Sequence, residues 1–422
     1  MHSVTNAIPT GTIASIPAKA HAHRALICAA LANSPSTILL SRTSKDIDAT
    51  MDSLRGLGTH VVYENKVVTV TPGPVPAKGN VVPHESGTTL RLLLPVAASI
   101  CNDVDVDAKG RLPDRPLEPM LSEMKAHGVT FSQDKPPFTI TGRLQGGNFS
   151  MVGDVSSQFF SGLLLAAPQI GLSTITATTP LQSSDYVTLT TETMRDFGVE
   201  VEHTLPDTNI NEAFTVPFGA SFIGRDNYQI EGDWSNAAIW MVAAGMTGKP
   251  ITITGMNKNS VQADRRIMQV MIDAGCDVVW DGMNVTVTGR AFKPIHADLE
   301  QMPDMLPVMA ALACSISGES SFIKGARLRL KESDRLIAVA NLVRDLGGTV
   351  REEGDDLYII GSGILKGGHG DCVNDHRLVM AGTLMALISE NPVTLQDSEA
   401  ITKSYPDFFE DWNLLGGDAH GI

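Results

Sequence analysis

Residues 303–347 read PDMLPVMAALACSISGESSFIKGARLRLKESDRLIAVANLVRDLG, and this stretch contains a pattern that recurs along the chain. An apolar helix candidate at 303–316 is followed by a β-rich segment at 321–326 and then by an amphipathic run that ends near Gly347. Glycine is the residue that most readily adopts the left-handed conformation with which helices end. The stretch therefore predicts a small unit of helix, strand and helix.

The pattern occurs six times at a spacing of roughly 65 to 80 residues, which is long enough for a small α/β unit. The apolar helix candidates are 24–32, 88–100, 157–167, 235–246, 303–316 and 376–388. The β-rich segments that follow them are 37–40, 104–108, 174–179, 251–255, 321–326 and 393–396. The amphipathic runs end at Gly56 or Gly58, Gly128, Gly198, Gly275, Gly347 and Gly416, and five repeats then close with a hairpin-like pair of strands.

Chain length and the number of repeats together predict the domain organisation. A chain of 422 residues exceeds what one hydrophobic core usually supports, so we expect an α/β protein of two domains with three repeats each. The sixth repeat lacks a closing hairpin, and we expect residues 10–16 to supply its missing strand. The predicted domains are 1–17 with 233–422, and 18–232, with a ligand-binding cleft between them.

Composition excludes several classes of protein. The formal net charge of −15 argues against a general nucleic-acid binder, which would carry a basic surface. The longest apolar runs, such as 237–246, are about half the length that a membrane span requires. Five widely spaced cysteines do not form a disulfide framework, and residues 1–17 do not resemble a secretory signal. We therefore expect a cytoplasmic protein that binds neither nucleic acid nor membrane.

Positive charge is nevertheless concentrated at one place in this acidic chain. Residues 327–335 contain four cations and two carboxylates, between a strand-like segment and a helix start at Ser333-Asp334. Backbone N–H groups at a helix start attract anions, so the segment indicates a site for a charged small molecule. The alternative interpretation is a solvent-exposed loop with internal ion pairs.

Other polar segments stand at repeat starts or in loops, where they could reach the same ligand. They are 19–24, 85–88 with Arg91, 114–116, 156–158, Asp304, and 374–377 with Lys403. Taken alone, each has a structural alternative: Ser156-Ser157-Gln158 could be a helix cap, and His376 a capping or core residue.

In this order the segments resemble the enolpyruvyl transferase family, and within it the members that act on shikimate 3-phosphate. The matching motifs are Lys19 with His23-Arg24, Glu85-Ser86-Gly87-Thr88 with Arg91, Arg115-Pro116, Val155-Ser156-Ser157-Gln158-Phe159, Glu231-Gly232-Asp233, Pro303-Asp304, Leu330-Lys331-Glu332-Ser333-Asp334-Arg335, Asn374-Asp375-His376-Arg377, and Thr402-Lys403 with Pro406-Asp407.

The resemblance implies a two-domain inside-out α/β barrel with three repeated α/β units in each domain. It also implies transfer of the enolpyruvyl group of phosphoenolpyruvate to the 5-hydroxyl of shikimate 3-phosphate, through a tetrahedral intermediate and with release of phosphate. The family uses no metal and no organic cofactor. We expect the protein to act as a monomer on these two small molecules.

The resemblance also assigns roles to individual residues. Catalysis is expected from Asp304 as base and Glu332 as acid and later base, assisted by Lys19 and His376. The phosphoenolpyruvate ligands are expected to be Lys19, Gly87, Arg115, Gln158, Arg335, Arg377 and Lys403. The shikimate 3-phosphate ligands are expected to be Ala20, Arg24, Ser156, Ser157, Gln158, Ser183, Tyr186, Asp304 and Lys331.

The sequence departs from the family pattern around Lys19. The family usually has Ser-Lys-Ser where this chain has Ala18-Lys19-Ala20, so a hydroxyl expected to donate to the shikimate phosphate is missing. A related enzyme with another acceptor is therefore a second interpretation. A UDP-N-acetylglucosamine enolpyruvyl transferase is a third, although Gly110 stands where that enzyme carries a reactive cysteine. A six-unit DNA sliding clamp is the non-enzyme alternative.

Overall fold

The computed structural model describes residues 1–207 and 211–422, and the chain forms two compact units. Unit 1 comprises Met1–Ile16 and Glu231–Ile422, and unit 2 comprises Pro17–Ile230. The predicted breaks after residues 17 and 232 fall one and two residues later than these boundaries. No helix among the described residues combines the length and apolar character that crossing a membrane requires.

Unit 2 contains three four-stranded sheets in its described residues. Its α-helices are α1 Lys19–Ala30, α2 Lys45–Gly56, α3 Gly87–Ile100, α4 Met120–Ala126, α5 Ser157–Ile170 and α6 Asp185–Asp196. Across each sheet, the strands run in the order Tyr228–Gln229, Ser36–Leu39, Val67–Thr71, His60–Glu64; Gly79–Val81, Asp103–Val106, Phe138–Thr141, Thr130–Phe131; and Gly147–Met151, Ser173–Ala177, Glu212–Val216, Glu202–Thr204.

Unit 1 has the same organisation. Its α-helices are α7 Trp234–Thr247, α8 Ile267–Asp273, α9 Leu306–Ser315, α10 Arg335–Asp345, α11 His376–Ala386 and α12 Phe408–Leu414. Its sheets run in the order Gly11–Ala14, Ile251–Thr254, Asn284–Thr288, Asp277–Asp281; His296–Asp298, Gly318–Ile323, Asp356–Gly361, Thr349–Glu353; and Gly368–Asp371, Val393–Gln396, His2–Val4, Ala419–Gly421.

Each sheet is built by one rule. A short edge strand runs parallel to the strand that follows the apolar helix, and an antiparallel pair completes the sheet, as with Gly79–Val81 beside Asp103–Val106. The amphipathic helices α2, α4, α6, α8, α10 and α12 are each followed by a glycine with positive φ, at Gly58, Gly128, Gly198, Gly275, Gly347 and Gly416. The predicted helix stops are thereby confirmed.

The N-terminal segment corrects one prediction. Gly11–Ala14 pairs in parallel with Ile251–Thr254, which confirms that residues 10–16 belong with the last three repeats. The prediction that this strand completes the sixth repeat is wrong, because it completes the fourth. The sixth sheet is completed by His2–Val4, which lies between Val393–Gln396 and Ala419–Gly421. Strands of three residues carry too little alternation to be recognised in sequence.

The apolar helices form the core of each unit, and their packing positions the polar groups at their N-termini. Nearly every residue of α3 and α5 is buried. At Gly162 in α5, an added Cβ would lie 2.5 Å from the main-chain oxygen of Arg91 in α3. The two backbones therefore touch where a side chain would hold them apart. The N-terminal residues Gly87 and Ser157 are fixed relative to each other by this contact.

Candidate functional site

A dense cluster of charges in unit 1 is organised around Arg335, the first residue of α10. The guanidinium group is only 2% exposed and donates to three carboxylates, which are Asp375 at 2.7 and 3.1 Å, Asp304 at 2.7 Å and Glu332 at 2.6 Å. Lys331 lies 2.9 Å from the same oxygen of Asp304. Two cations and three carboxylates therefore meet in one place, and all five belong to the sequence motifs given above.

Helix capping explains how the sequence builds this cluster. Asp334 caps α10 by accepting from the backbone N–H of Ile337, which makes Arg335 the first helical residue. Asp375 caps α11 by accepting from the backbone N–H of Arg377, and it also accepts from Ser333 at 3.0 Å. Acidic caps satisfy the free N–H groups of a helix start and bring the next cation into a fixed position.

The electrostatics of the cluster favour the ionised forms of Asp304 and Arg335. Burial opposes ionisation of Asp304, but the charges of Lys331 and Arg335 outweigh burial and lower its pKa. Burial likewise opposes the charge of Arg335, yet Asp375 and the neighbouring carboxylates raise its pKa. Burial lowers the pKa of Lys331, and Asp304 counteracts this effect. Asp304 is thus a weak base for as long as these cations face it.

The remaining predicted residues of unit 1 surround the start of α11. His376 is the first helical residue and is 2% exposed, and Arg377 is 4% exposed with an Nη1–H donated to the main-chain oxygen of Ser235 at 2.9 Å. Lys403 ends the 3-10 helix Ser398–Lys403 and donates to the main-chain oxygen of Asn374 at 2.8 Å. Lys403 therefore lies next to the turn that carries His376 and Arg377.

Part of the basic segment is not in the cluster. Arg329, in the 3-10 helix Ala326–Leu330, donates to Asp355 at 2.8 Å and to Asp334 at 3.1 Å, and its side chain is one-third exposed. For this residue the interpretation as a surface ion pair is correct. Lys331 and Arg335 are the cations of this segment that contact Asp304.

In unit 2, Lys19 is the first residue of α1 and is held by a carboxylate that the sequence did not identify. Its ammonium group donates to Asp46 in α2 at 2.7 Å, and both side chains are mostly buried. Asp46 lies in the first turn of α2, whose cap is Ser44. Ser44, just before this acidic first turn, was the sequence signal for a helix start at this place. Ala18, at the cap position of α1, makes no side-chain capping bond.

The start of α3 meets the loop that carries Arg115. Ser86 caps α3 by accepting from the backbone N–H of Thr89, and Gly87 is the first helical residue. An added Cβ at Gly87 would lie 2.5 Å from Nη1 of Arg115, so the guanidinium packs directly over this glycine. The predicted pair of Gly87 and Arg115 is thus in contact, at a helix start suited to an anion.

Arg91 orients a second group of predicted residues. It donates to the amide oxygen of Gln158 at 3.1 Å and to the main-chain oxygen of Pro116 at 3.0 Å. The amide nitrogen of Gln158 then donates to the hydroxyl of Thr88 at 2.9 Å. Ser156 caps α5 and is 6% exposed, while Ser157 is 3% exposed. Arg91 therefore fixes both the Arg115-Pro116 loop and the amide of Gln158.

Arg24 lies deeper than a substrate ligand is expected to lie. It is 1% exposed and donates to Thr190, Ser161 and the main-chain oxygens of Ala20 and Tyr186. Burial lowers the pKa of this guanidinium to about 10. Ser183 is 2% exposed and has a positive φ of 54°, just before α6. The structure brings Arg24, Ala20 and Tyr186 together, with most of the donors of Arg24 committed to the protein.

A second carboxylate that sequence reasoning missed is Asp264, in the 3-10 helix Ala263–Arg266 of unit 1. It is 1% exposed, and it accepts a hydrogen bond from the hydroxyl of Ser235. Burial raises its pKa to about 6, with a further contribution from Asp304. In sequence it stands beside two arginines, which typically indicates a surface residue, so its burial could not be anticipated.

The chain is similar to known proteins in its family, its sequence and its fold. The family model described as EPSP synthase (3-phosphoshikimate 1-carboxyvinyltransferase) matches residues 7–412. A 3-phosphoshikimate 1-carboxyvinyltransferase of Clostridium kluyveri is 36% identical over 413 residues, covering 97% of this chain and 95% of that protein. One of Methanocorpusculum labreanum is 35% identical over 418 residues, with 97% of each chain covered.

A solved structure extends the comparison to the fold. The EPSP synthase of Acinetobacter baumannii superposes with a TM-score of 0.81 at 22% sequence identity, covering 100% of this chain and 99% of that one. At this identity the similarity shows the fold, and it confirms the two-domain α/β architecture that the resemblance implied.

Proposed function

Because this chain belongs to the EPSP synthase family, we propose that it transfers the enolpyruvyl group of phosphoenolpyruvate to the 5-hydroxyl of shikimate 3-phosphate. The observation that carries the proposal is the cluster in which Arg335 and Lys331 hold Asp304 and Glu332 within 2.6 to 2.9 Å. Such a cluster supplies both an anion-binding surface and two carboxyl groups for proton transfer. A sliding clamp is excluded by the match to an enzyme family over residues 7–412.

We assign anion binding to residues of each unit. In unit 2 the phosphoenolpyruvate ligands are Lys19, Arg115, Gln158 and the backbone N–H of Gly87, and in unit 1 they are Arg335, Arg377 and Lys403. For shikimate 3-phosphate they are Arg24, Ser156, Ser157, Gln158, Ser183, Tyr186, Asp304 and Lys331, together with the backbone at Ala20. Arginine suits these ligands because its planar group binds phosphate and carboxylate through two hydrogen bonds.

The same anions would activate the catalytic carboxylates. Lys331 and Arg335 lower the pKa of Asp304, so it is a poor base while both cations are directed at it. A phosphate or carboxylate that takes over their hydrogen bonds removes this effect, and the basicity of Asp304 rises. Glu332 is bonded to Arg335 at 2.6 Å, and the substrate carboxylate would compete with it for this guanidinium group.

Proton transfer then proceeds in two stages. In the addition, Asp304 removes the proton of the 5-hydroxyl, the oxygen bonds to C2 of phosphoenolpyruvate, and Glu332 delivers a proton to C3. In the elimination, C3 returns a proton to Glu332, the double bond forms again and phosphate leaves. Each group of this kind contributes about 10² to 10⁴ in rate. Lys19 and His376 assist by stabilising charge on the intermediate.

Position 20 bears on the choice of acceptor. Loss of one hydrogen bond to a charged phosphate costs about 1.5 to 3 kcal/mol, or about 10- to 150-fold in affinity. Ala20 offers only its backbone, and its carbonyl oxygen already accepts from Arg24 at 2.7 Å. An altered acceptor is therefore the second candidate function, with this substitution as its support.

Phosphate release decides between these functions. The protein is assayed with phosphoenolpyruvate plus shikimate 3-phosphate, and separately with UDP-N-acetylglucosamine as acceptor. We expect release with shikimate 3-phosphate, and a lower KM for it in Ala20→Ser. Release only with the second acceptor, or with neither, would refute the assignment. Ala30→Ser, at the far end of α1, is the matched control for an added hydroxyl.

We further propose a cytoplasmic monomer that needs no metal and no organic cofactor. The family resemblance supports all of these statements. The local sources of positive charge support the absence of a metal ion, because they serve the role that it would otherwise have toward phosphate. Light scattering coupled to size-exclusion chromatography measures the mass directly. A mass near twice that of one chain would contradict the monomer.

A further inference from the structure

Asp264 lies beside the proposed Arg377 subsite but has no role in the reaction above. Its Oδ2 accepts from the hydroxyl of Ser235, and its Oδ1, although buried, meets no donor among the described residues. An ionised carboxylate that is 1% exposed is ordinarily surrounded by several donors. The site therefore disfavours the charged form of this carboxyl group.

Ser235 connects the carboxyl group to Arg377. Its hydroxyl donates to Asp264, and its main-chain oxygen accepts from Nη1 of Arg377 at 2.9 Å. The Nε of Arg377 is also buried, and no acceptor for it lies in the described part of the chain. A residue at the first turn of α7 thus links a buried acid to a buried cation.

The groups that face Asp264 come from three elements: Asp304 from the 3-10 helix Pro303–Met305, Asp233 and Ser235 from the start of α7, and Arg377 from α11. Burial and the negative charges of Asp304 and Asp233 oppose its ionisation, while Arg377 and the hydrogen bond from Ser235 favour it. Together they raise its pKa to about 6, close to neutrality. A change in the charge near Arg377 is therefore sufficient to change its protonation at physiological pH.

We propose that Asp264 couples proton uptake to anion binding at Arg377: its carboxyl group is ionised before a phosphate or carboxylate binds there and neutral afterwards. The proton comes from solvent and forms an O–H bond on the carboxyl group, and no other bond changes. The bound anion cancels the positive charge that favours ionisation and adds negative charge of its own. Asp264 is thus a positioning residue that acts through Arg377, and the inference rests on the proposed function, with phosphoenolpyruvate as the anion.

The test compares the KM for phosphoenolpyruvate of wild type and Asp264→Asn between pH 5 and pH 8, at saturating shikimate 3-phosphate. Asparagine keeps the shape and the acceptor for Ser235 but stays neutral at every pH. We expect the ratio of wild-type to variant KM to be near one at pH 5. At pH 8 the ratio should be about ten for each unit by which anion binding raises the pKa of Asp264. Ionisation of phosphoenolpyruvate itself cancels in this ratio.

The outcomes separate the possible explanations. A purely structural role would raise the KM of the variant at every pH, and a ratio that does not change with pH overturns the inference. If Asp264→Asn fails to fold, Ser235→Ala replaces it. Because this variant loses the hydrogen bond that favours ionisation of Asp264, the inflection in its plot of KM against pH must move to higher pH. An inflection at the wild-type pH would also overturn the inference. Absence of turnover in wild type overturns the proposed function instead.

Discussion

Replacing Gly87 by alanine tests the geometry of the anion site at the start of α3. The new Cβ would lie 2.5 Å from Nη1 and 2.9 Å from Cζ of Arg115, whereas ordinary contacts begin at 3.4 Å. The guanidinium must therefore move by about 1 Å. Because it is the end of a flexible side chain, it can move without unfolding the protein, but it leaves the position from which it would bind phosphoenolpyruvate.

The expected effect is large for one substrate and small for the other. A displacement of about 1 Å in a positioning group costs up to about 10²-fold in catalytic efficiency. We expect the KM for phosphoenolpyruvate to rise about 10- to 100-fold in Gly87→Ala, with the KM for shikimate 3-phosphate and the melting temperature little changed. Steady-state phosphate release gives both constants, and differential scanning fluorimetry gives the melting temperature.

Two further variants make this prediction specific. Gly421→Ala is the control for glycine replacement, because an added Cβ there meets nothing within 4 Å. Arg115→Ala removes the group that Gly87→Ala displaces, so the double variant should be hardly worse than Arg115→Ala alone. Fully additive effects, or an unchanged KM for phosphoenolpyruvate in Gly87→Ala, would show that Arg115 does not bind this substrate from its position over Gly87.

Three other predictions follow from the charged groups. Asp304→Asn should lower kcat by about 10²- to 10⁴-fold if this carboxylate is the base, and phosphate release under substrate saturation measures it; a loss under tenfold would contradict the role. Burial raises the pKa of Asp264 from 3.8 to about 6, so its contribution to stability is present below about pH 4 and is lost as the pH rises through 6. In urea unfolding, the free energy of unfolding of Asp264→Asn relative to that of wild type should therefore increase by up to about 3 kcal/mol between pH 4 and pH 8. A constant difference would contradict this. Dialysis against EDTA should leave phosphate release unchanged, and loss of activity that added Mg²⁺ or Zn²⁺ restores would refute the metal-free mechanism.

The repeats could be predicted from sequence because their signals are local. Each apolar helix has a continuous run of buried residues, and each amphipathic helix is followed by a glycine with positive φ. The sequence therefore predicts both helices in each of the six repeats. The short strands His2–Val4 and Gly79–Val81 were missed, since each gives only three residues of alternation. Their pairing depends on contacts with strands far away in the chain.

The candidate site divides in the same way. The cations Lys331 and Arg335 were recognised because they stand in a motif beside a helix cap. Asp46 and Asp264 were missed, because Ser44 indicates only a helix start and not the contact of Asp46 with Lys19, and no local pattern shows that Asp264 is buried. The depth of Arg24 was not anticipated for a similar reason, since its partners Ser161 and Thr190 lie more than 130 residues away.

The strand order of unit 1 determines when this part of the protein can fold on the ribosome. Unit 2 is continuous from Pro17 to Ile230 and can fold as soon as that segment has emerged. Gly11–Ala14 can pair only after Ile251–Thr254 has been synthesised. At about 5 to 20 residues per second, this takes roughly 10 to 50 s of translation. His2–Val4 waits longer still, for Val393–Gln396. During that time these two strands are without their partners, and unpaired strands are open to chaperones and to mispairing.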